Sequence, residues 1–579
     1  MTSPTIPEIL HLHTYFLFPF SIDKQTVLED HPELWRKGQH WIDGLDEWIS
    51  RHNDPVLNPI PAKLGPWRRS AYARFDLDSP AYQDMVFFHP FVRRVFFDTY
   101  EGVEPAQKKE SLLRCYTIPV PKGKKLWFRA SDGKGRNASV EVTDLRMFLF
   151  ANGIGILSIG VEVFQISTRD ALWINESMRK VYPSSGRQVR EGRIPNRMAL
   201  VLDAAGQEEV LCEERFAEGA MIGFLPPLAK TVTSLIYFAD YRLQEFEPML
   251  DERMIVNSYV SIDPRSIPSG YTESEEYQVL LSRFLYVDLY GQGYRYEPQF
   301  VRQQMAQQVY RRWGHQGTYY GFTSYSNVTL TVGEFDCDEH TLREGFLIHR
   351  MFTSRYYLMM LVALFYRAAL LDFAERTALV SRRLILDHED GKLTPENIWI
   401  ANGLRAEFLH FSNYWYFEEL ANKDEEIEHF TLMCQQFRIE PVKKEVEEEI
   451  EKLDSSLQNY SAFRNTEAVN RLAMLSMILG AGAVLTGFFG MNFGREFARL
   501  IFEPDPSRMI LHYAAIAAST LLGLGALVFG SYVVLANWSD YRDIIVPRRW
   551  RSSSKRVPES LKRVADLGRP EEPEADEQE

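Results

Sequence analysis

Two stretches near the C-terminal end constrain this 579-residue chain most: Leu472 to Phe489, which runs on into Gly490-Met491-Asn492, and Ile510 to Leu535. Neither holds a formal charge. About 20 apolar residues rising 1.5 Å each cross the hydrocarbon core of a bilayer, so each run is long enough to span. A third apolar segment, "RYYLMMLVALFYRAALLDF", is interrupted by Arg355, Arg367 and Asp372. Only Tyr356 to Tyr366 is uncharged there, too short a run to cross, and the segment reads as a buried helix. With two spans, both ends of the chain share one side. Arg548, Arg549 and Arg551 follow the second run closely, and basic residues are retained in the cytoplasm. The expectation is a multi-pass protein of a cell membrane, inner or plasma, with both termini cytoplasmic.

Charge and cysteines narrow the partners. The net charge of -14 and pI near 5.6 argue against nucleic acid, whose phosphates reward clustered Lys and Arg. The four cysteines are far apart with no CxxC, so neither a zinc cage nor a disulfide framework is indicated. The segment "MTSPTIPEILHLHTYFLFPFSID" lacks a basic n-region and is broken by Pro19, so no signal peptide is expected.

Residues 1–340 mix strand and helix signals and are expected to form a cytoplasmic α/β domain, within an overall α+β class. Asn152-Gly153 between apolar runs predicts a tight hairpin. Ser167 with Asp170 three residues on predicts a helix cap. The glycines of "GIGILSIG" sit in a strand pattern without phosphate-loop spacing, and "SDGKGRN" reads as a turn. Residues 341–440 are expected to be helical, still cytoplasmic. At the border, Cys337, Asp338 and His340 could suggest a metal, but Asp338 as a helix cap is the better reading. The run "KDEEIEH", with Asp424, Glu425 and Glu428, is either a solvated face or a divalent-cation site. The thirteen histidines include no HExxH, and no nucleophile, paired-carboxylate or phosphate-loop signature appears. An enzyme is not expected, and no cofactor is required.

Pro441 opens a stalk helix over 441–471, with Val446, Ile450, Leu453, Leu457 and Tyr460 at coiled-coil spacing. Nothing interrupts it before the first span, 472–492; an external loop, 493–509, a second span, 510–535, and a basic then acidic cytoplasmic tail, 536–579, complete the order. Stepping back from Gly490 by the heptad period gives Gly487, Ala483, Gly480, Ser476, Ala473, Val469 and Thr466, all small or modest residues. That stripe is either a close-packing face between helices or the lining of a narrow conduit. Two spans cannot enclose a conduit alone, so identical subunits would be partners, alongside membrane lipid. A ring of Asn492 amide oxygens would accept a hydrated Mg²⁺ without holding it too tightly to release.

A long cytoplasmic helix entering a span that ends in Gly-Met-Asn, a short outer loop, a second span and a basic end resemble the CorA-type magnesium transporters. The resemblance implies a homopentameric funnel with an all-helical membrane part and Gly490, Met491 and Asn492 as the selectivity mouth. It implies a first span lining the pore, with Val469 and Leu472 at a constriction and Arg548, Arg549 and Arg551 as a cytosolic basic collar. Mg²⁺ would be both substrate and regulatory ligand, held between subunits by carboxylates, for which Asp424, Glu425, Glu428, Glu445 and Glu448 are the candidates. The expected function is potential-driven influx of magnesium. The alternatives are transport of Zn, Co or Ni, and a membrane-anchored sensor or regulatory protein whose hairpin does not conduct.

Overall fold

The computed structural model describes residues 6–31, 41–51, 58–70, 80–98, 112–183, 186–190, 192, 194–218, 225–250, 252–290, 296–333, 347–389, 393–490, 499, 501–503 and 506–536. The chain divides into two compact units, Met1–Glu451 and Lys452–Glu579.

The first unit is built on a mixed sheet. Its strands are β1 (Glu8–Ile22), β2 (Arg68–Arg69), β3 (Leu113–Thr117), β4 (Lys124–Ser131), β5 (Asn137–Phe150), β6 (Ile154–Ser167), β7 (Arg197–Ala204), β8 (Gln207–Arg215), β9 (Phe246–Pro248), β10 (Ile255–Ile262), β11 (Val309–Tyr310), β12 (Tyr319–Phe322) and β13 (Ser326–Val332). The main path runs β11-β12-β13-β10-β1-β6-β5-β4-β7-β8 in a 13-stranded sheet. β10 and β13 pair in parallel. Their connection includes α2, defined below, as a parallel pair needs a crossover rather than a hairpin.

β1 sits between β6 and β10 and is buried almost throughout, which explains its nearly continuous apolar run. Alternate residues face opposite layers. On one face Thr14 donates to Asn175 on α1 (Thr168–Met178), and Asn175 donates to Ser258 on β10. The same layer holds α2 (Glu275–Tyr286), whose Leu285 carbonyl accepts from Ser326. The other face is covered by α3 (Leu347–Thr353) and α4 (Arg355–Glu389). There the Tyr357 ring lies 4.4 Å from Tyr15, its hydroxyl donates to Ser158 at 2.8 Å, and Phe365 stacks on Phe150 at 4.2 Å.

Local chemistry sets the turns. Asn152-Gly153 joins β5 to β6, with Gly153 at φ +99°, a value that favours glycine. The "SDGKGRN" segment is the β4–β5 turn, closed by the Asp132 carboxylate accepting from the amides of Lys134 and Arg136. In "GIGILSIG" the first glycine of β6, Gly155, lies under the Phe20 ring, where an added Cβ would fall 2.3 Å from it. Gly155 and Gly160 make room for the rings of Phe20 and Tyr15, and Gly153 serves the turn. Ser167 caps α1 by accepting from the Asp170 amide and donating to its carboxylate. Ser167→Ala is expected to cost about 1 kcal/mol, read as a lowered thermal midpoint.

Further helices are α5 (Pro395–His410), α6 (Asp424–Gln436), α7 (Ile439–Gly490, 52 residues) and α8 (Met509–Ala536). Of the expected seam on α7, Val446, Ile450, Leu453 and Leu457 are buried and Tyr460 is half-buried.

The fold differs from the expected cytoplasmic α+β domain with an all-helical membrane part and a pentameric funnel. It is an α/β protein in which, among the described residues, 13 strands form one mixed sheet. Among the described residues, one helical run, Ile348–Asp387, is long and apolar enough to cross a membrane, and 72% of its most apolar window is buried inside the protein. It covers the sheet: Tyr357, Met360, Leu364 and Phe365 are fully buried. It is neither of the two segments expected to span. Apolar length alone does not tell lipid from a protein interior: this run, interrupted by Arg355, Arg367 and Asp372, avoids water against the sheet.

Candidate metal centre

β1 places His11 and His13 two residues apart, hence on the same face, the one covered by α3 and α4. Across the β1–β6 ladder, His13 lies directly opposite Glu162. α3 brings His349 over both. The four ligand atoms, one from each residue, lie within 4.8 Å of one another. His11 Nε2 is 2.5 Å from Glu162 Oε1, and His13 Nδ1 is 2.9 Å from His349 Nε2. Glu162 Oε1 is 3.9 Å from both His13 Nδ1 and His349 Nε2.

Aromatic rings wall the group. Phe164 stacks on His11 at 4.4 Å, and Tyr259 and Phe352 pack edge-on against His11 and His13, respectively. His11 and His13 are buried, whereas Glu162 and His349 are about one-fifth exposed and give the group a side open to solvent. Burial, reinforced by His349, pushes His13 down to about 3. Burial, then His11, pushes His349 down to about 4. Both rings are therefore neutral near pH 7 and carry lone pairs. Burial works to raise the Glu162 carboxyl, but the His11 hydrogen bond and the surrounding rings outweigh it and hold it below the usual value. Among the described residues no Lys or Arg pairs with Glu162; its near neighbours are the three imidazoles.

The residues singled out from sequence lie elsewhere. Gly490 is the last residue of α7; Met491, Asn492, Arg548, Arg549 and Arg551, and also Cys337, Asp338 and His340, lie outside the described residues. Thr466, Val469, Leu472, Ser476, Gly480, Ala483 and Gly487 all lie on α7, and the first six are exposed in the single chain. Glu425 accepts from the Trp313 indole and the Tyr356 hydroxyl, and Glu428 from the Tyr310 hydroxyl. Both tie α6 to other elements of the same unit. Asp424, Glu445 and Glu448 are exposed, and among the described residues these carboxylates form no convergent group of three ligands.

The His-Glu group went unread in the sequence. Its one local signal is the alternation in "LHLHTY", which puts two imidazoles on one strand face. Glu162 and His349 join only through sheet register and helix placement, across 151 and 336 residues. Compared with known proteins, the chain matches no family model, no curated protein and no solved structure.

Proposed function

We propose that this protein passes divalent cations across a membrane, magnesium first among them, through an assembly of more than one copy of the chain. The observation that carries the reading is the Gly-Met-Asn sequence at the end of the unbroken helix Ile439–Gly490. The helices of the C-terminal unit supply a second support. Val469, Leu472 and Leu479 on α7 and Ile510, Leu521 and Val528 on α8 are large apolar side chains left more than half exposed. An apolar surface of that kind calls for lipid or another copy of the chain. The resemblance of the Gly-Met-Asn region to CorA-type transporters belongs to the same proposal. Transport needs no catalytic chemistry: about 2.3 kcal/mol per charge at 100 mV doubles for a divalent ion and drives it inward.

The test is flux. Purified full-length protein in liposomes, under an inward Mg²⁺ gradient and an inside-negative potential, is expected to admit Mg²⁺ at least about tenfold faster than protein-free liposomes. Absence of flux for Mg²⁺, Zn²⁺, Co²⁺ and Ni²⁺ alike would sink the transport reading. A second reading, a membrane-associated metal sensor without flux, is favoured by the His-Glu group and would then stand.

A further inference from the structure

We infer that His11, His13, Glu162 and His349 bind one transition-metal ion of the Zn²⁺ class, at a site that does not depend on the transport reading. The donor set decides the class. Three imidazole nitrogens and one carboxylate oxygen suit Zn²⁺, Co²⁺, Ni²⁺ or Cu²⁺, whereas Mg²⁺ takes hard oxygen donors and keeps much of its water. This group is therefore not a magnesium site, whatever ion the protein transports.

Geometry agrees with the donors. Ligands about 2.0–2.1 Å from a tetrahedral ion stand about 3.3 Å apart. Four of the six separations, 2.5, 2.9, 3.9 and 3.9 Å, straddle that value and all lie within 4.8 Å, so adjustments of the side chains would seat an ion. Charge agrees as well. Glu162 is a carboxylate set among imidazoles with no Lys or Arg beside it among the described residues, and a divalent cation supplies the missing positive charge.

The same contacts could be read as a hydrogen-bonded network alone. That network still gathers four ligand atoms on one point while leaving the carboxylate without a permanent cation. Four protein ligands leave no open position, so the site is structural or regulatory, not hydrolytic. Its ligands come from β1, β6 and α3, so an ion there fastens α3 to the sheet. Metal binding and the docking of that helix then become one equilibrium. The partly exposed edge at Glu162 and His349 is the entry route.

The experiment uses purified full-length protein stripped by a chelator and titrated with Co²⁺. One equivalent per chain is expected to bind with the visible ligand-field bands of a four-coordinate ion; Zn²⁺ displaces it, and millimolar Mg²⁺ does not. Thermal unfolding should shift upward on binding, since the ion favours the folded chain. His13→Ala and Glu162→Gln should each weaken Co²⁺ binding at least about tenfold. Asn492→Ala should leave the Co²⁺ bands intact, so a failure of transport and a failure of this site are separately visible. If His13→Ala does not fold, the wild-type titration decides. Failure of wild-type protein to take up stoichiometric Co²⁺ or Zn²⁺ would overturn the assignment, as would unchanged uptake in both folded metal-site variants.

Discussion

Asn492→Ala is expected to reduce divalent-cation uptake to background while leaving the protein inserted and assembled. The amide oxygen at 492 is a neutral, hard acceptor, suited to the water shell of an ion that dehydrates reluctantly. Alanine removes the acceptor without adding charge or bulk. A hydrogen bond to a charged group is worth about 1.5–3 kcal/mol, and the proposed assembly would lose one such acceptor per copy. Two losses alone amount to at least about 3 kcal/mol, roughly a hundredfold in rate at 1.36 kcal/mol per tenfold. The measurement is Mg²⁺ uptake in cells lacking their own magnesium transporters, with membrane content of the variant verified by fractionation. Asn492→Asp should behave differently: it keeps an acceptor and adds charge, so the ion binds more tightly and leaves more slowly. Uptake by Asn492→Ala equal to wild type would show that residue 492 plays no part in conduction.

Features decided within a few residues were legible in the sequence. The Asn152-Gly153 turn, the Ser167 cap and the turn at Asp132 each follow from side-chain chemistry acting over two to four positions, and the structure places each as expected. The assembly of strands was not legible. β1 pairs with β6 and β10, some 150 and 250 residues away, and β10 pairs in parallel with β13. Nothing in the local pattern of β1 names those neighbours, because a strand buried on both faces loses the alternation that would mark its sides. The His-Glu group inherits that difficulty, since its convergence is a property of register. Apolar length alone does not separate lipid from a protein interior, and the reading of the segment around Tyr356–Tyr366 as a buried helix holds. The stretch from Ile348 to Asp387 carries enough apolar residues to suit lipid, yet its Tyr357, Phe365 and Met360 pack on strands. Charges such as Arg355 and Asp372 told the two environments apart better than hydropathy did. Arg355 lies 3.6 Å from Glu426 on α6, a partner that packing against another helix provides, and Asp372 pairs with Arg376 one turn along its own helix.

The fold should also lose stability on acidification, and His429→Leu should remove a measurable part of that loss. His429 on α6 is 1% exposed and enclosed by aromatic rings, with Tyr310 and Tyr320 at 4.4 Å and Tyr356 at 5.0 Å. Among the described residues neither ring nitrogen has a hydrogen-bond partner. Burial, with a smaller push from Arg312, drives its pKa from 6.5 down to about 3. The folded value lies below the unfolded one, so between those limits the unfolded chain binds the extra proton. Stability is then fully present above the unfolded value near 6.5 and falls as pH drops towards 3. At 1.36 kcal/mol per unit the contribution is on the order of 5 kcal/mol at the acid end. Asp84 acts with the opposite sign: burial lifts it to about 7, and the stability it contributes below that value is lost as pH rises through it. Comparing wild type with His429→Leu isolates the histidine from that opposing slope and from His13 and His349, which reinforce it. Thermal midpoints of the full chain measured from about pH 7.5 to 4.5 should converge less steeply towards the acid end in the variant. Leucine also removes two buried polar atoms that lack partners, each costing about 1–3 kcal/mol, so the variant should be at least as stable as wild type at neutral pH. Parallel curves for the two proteins across the whole range would mean that His429 titrates alike in the folded and unfolded chains, and that result would refute the enclosed-ring account.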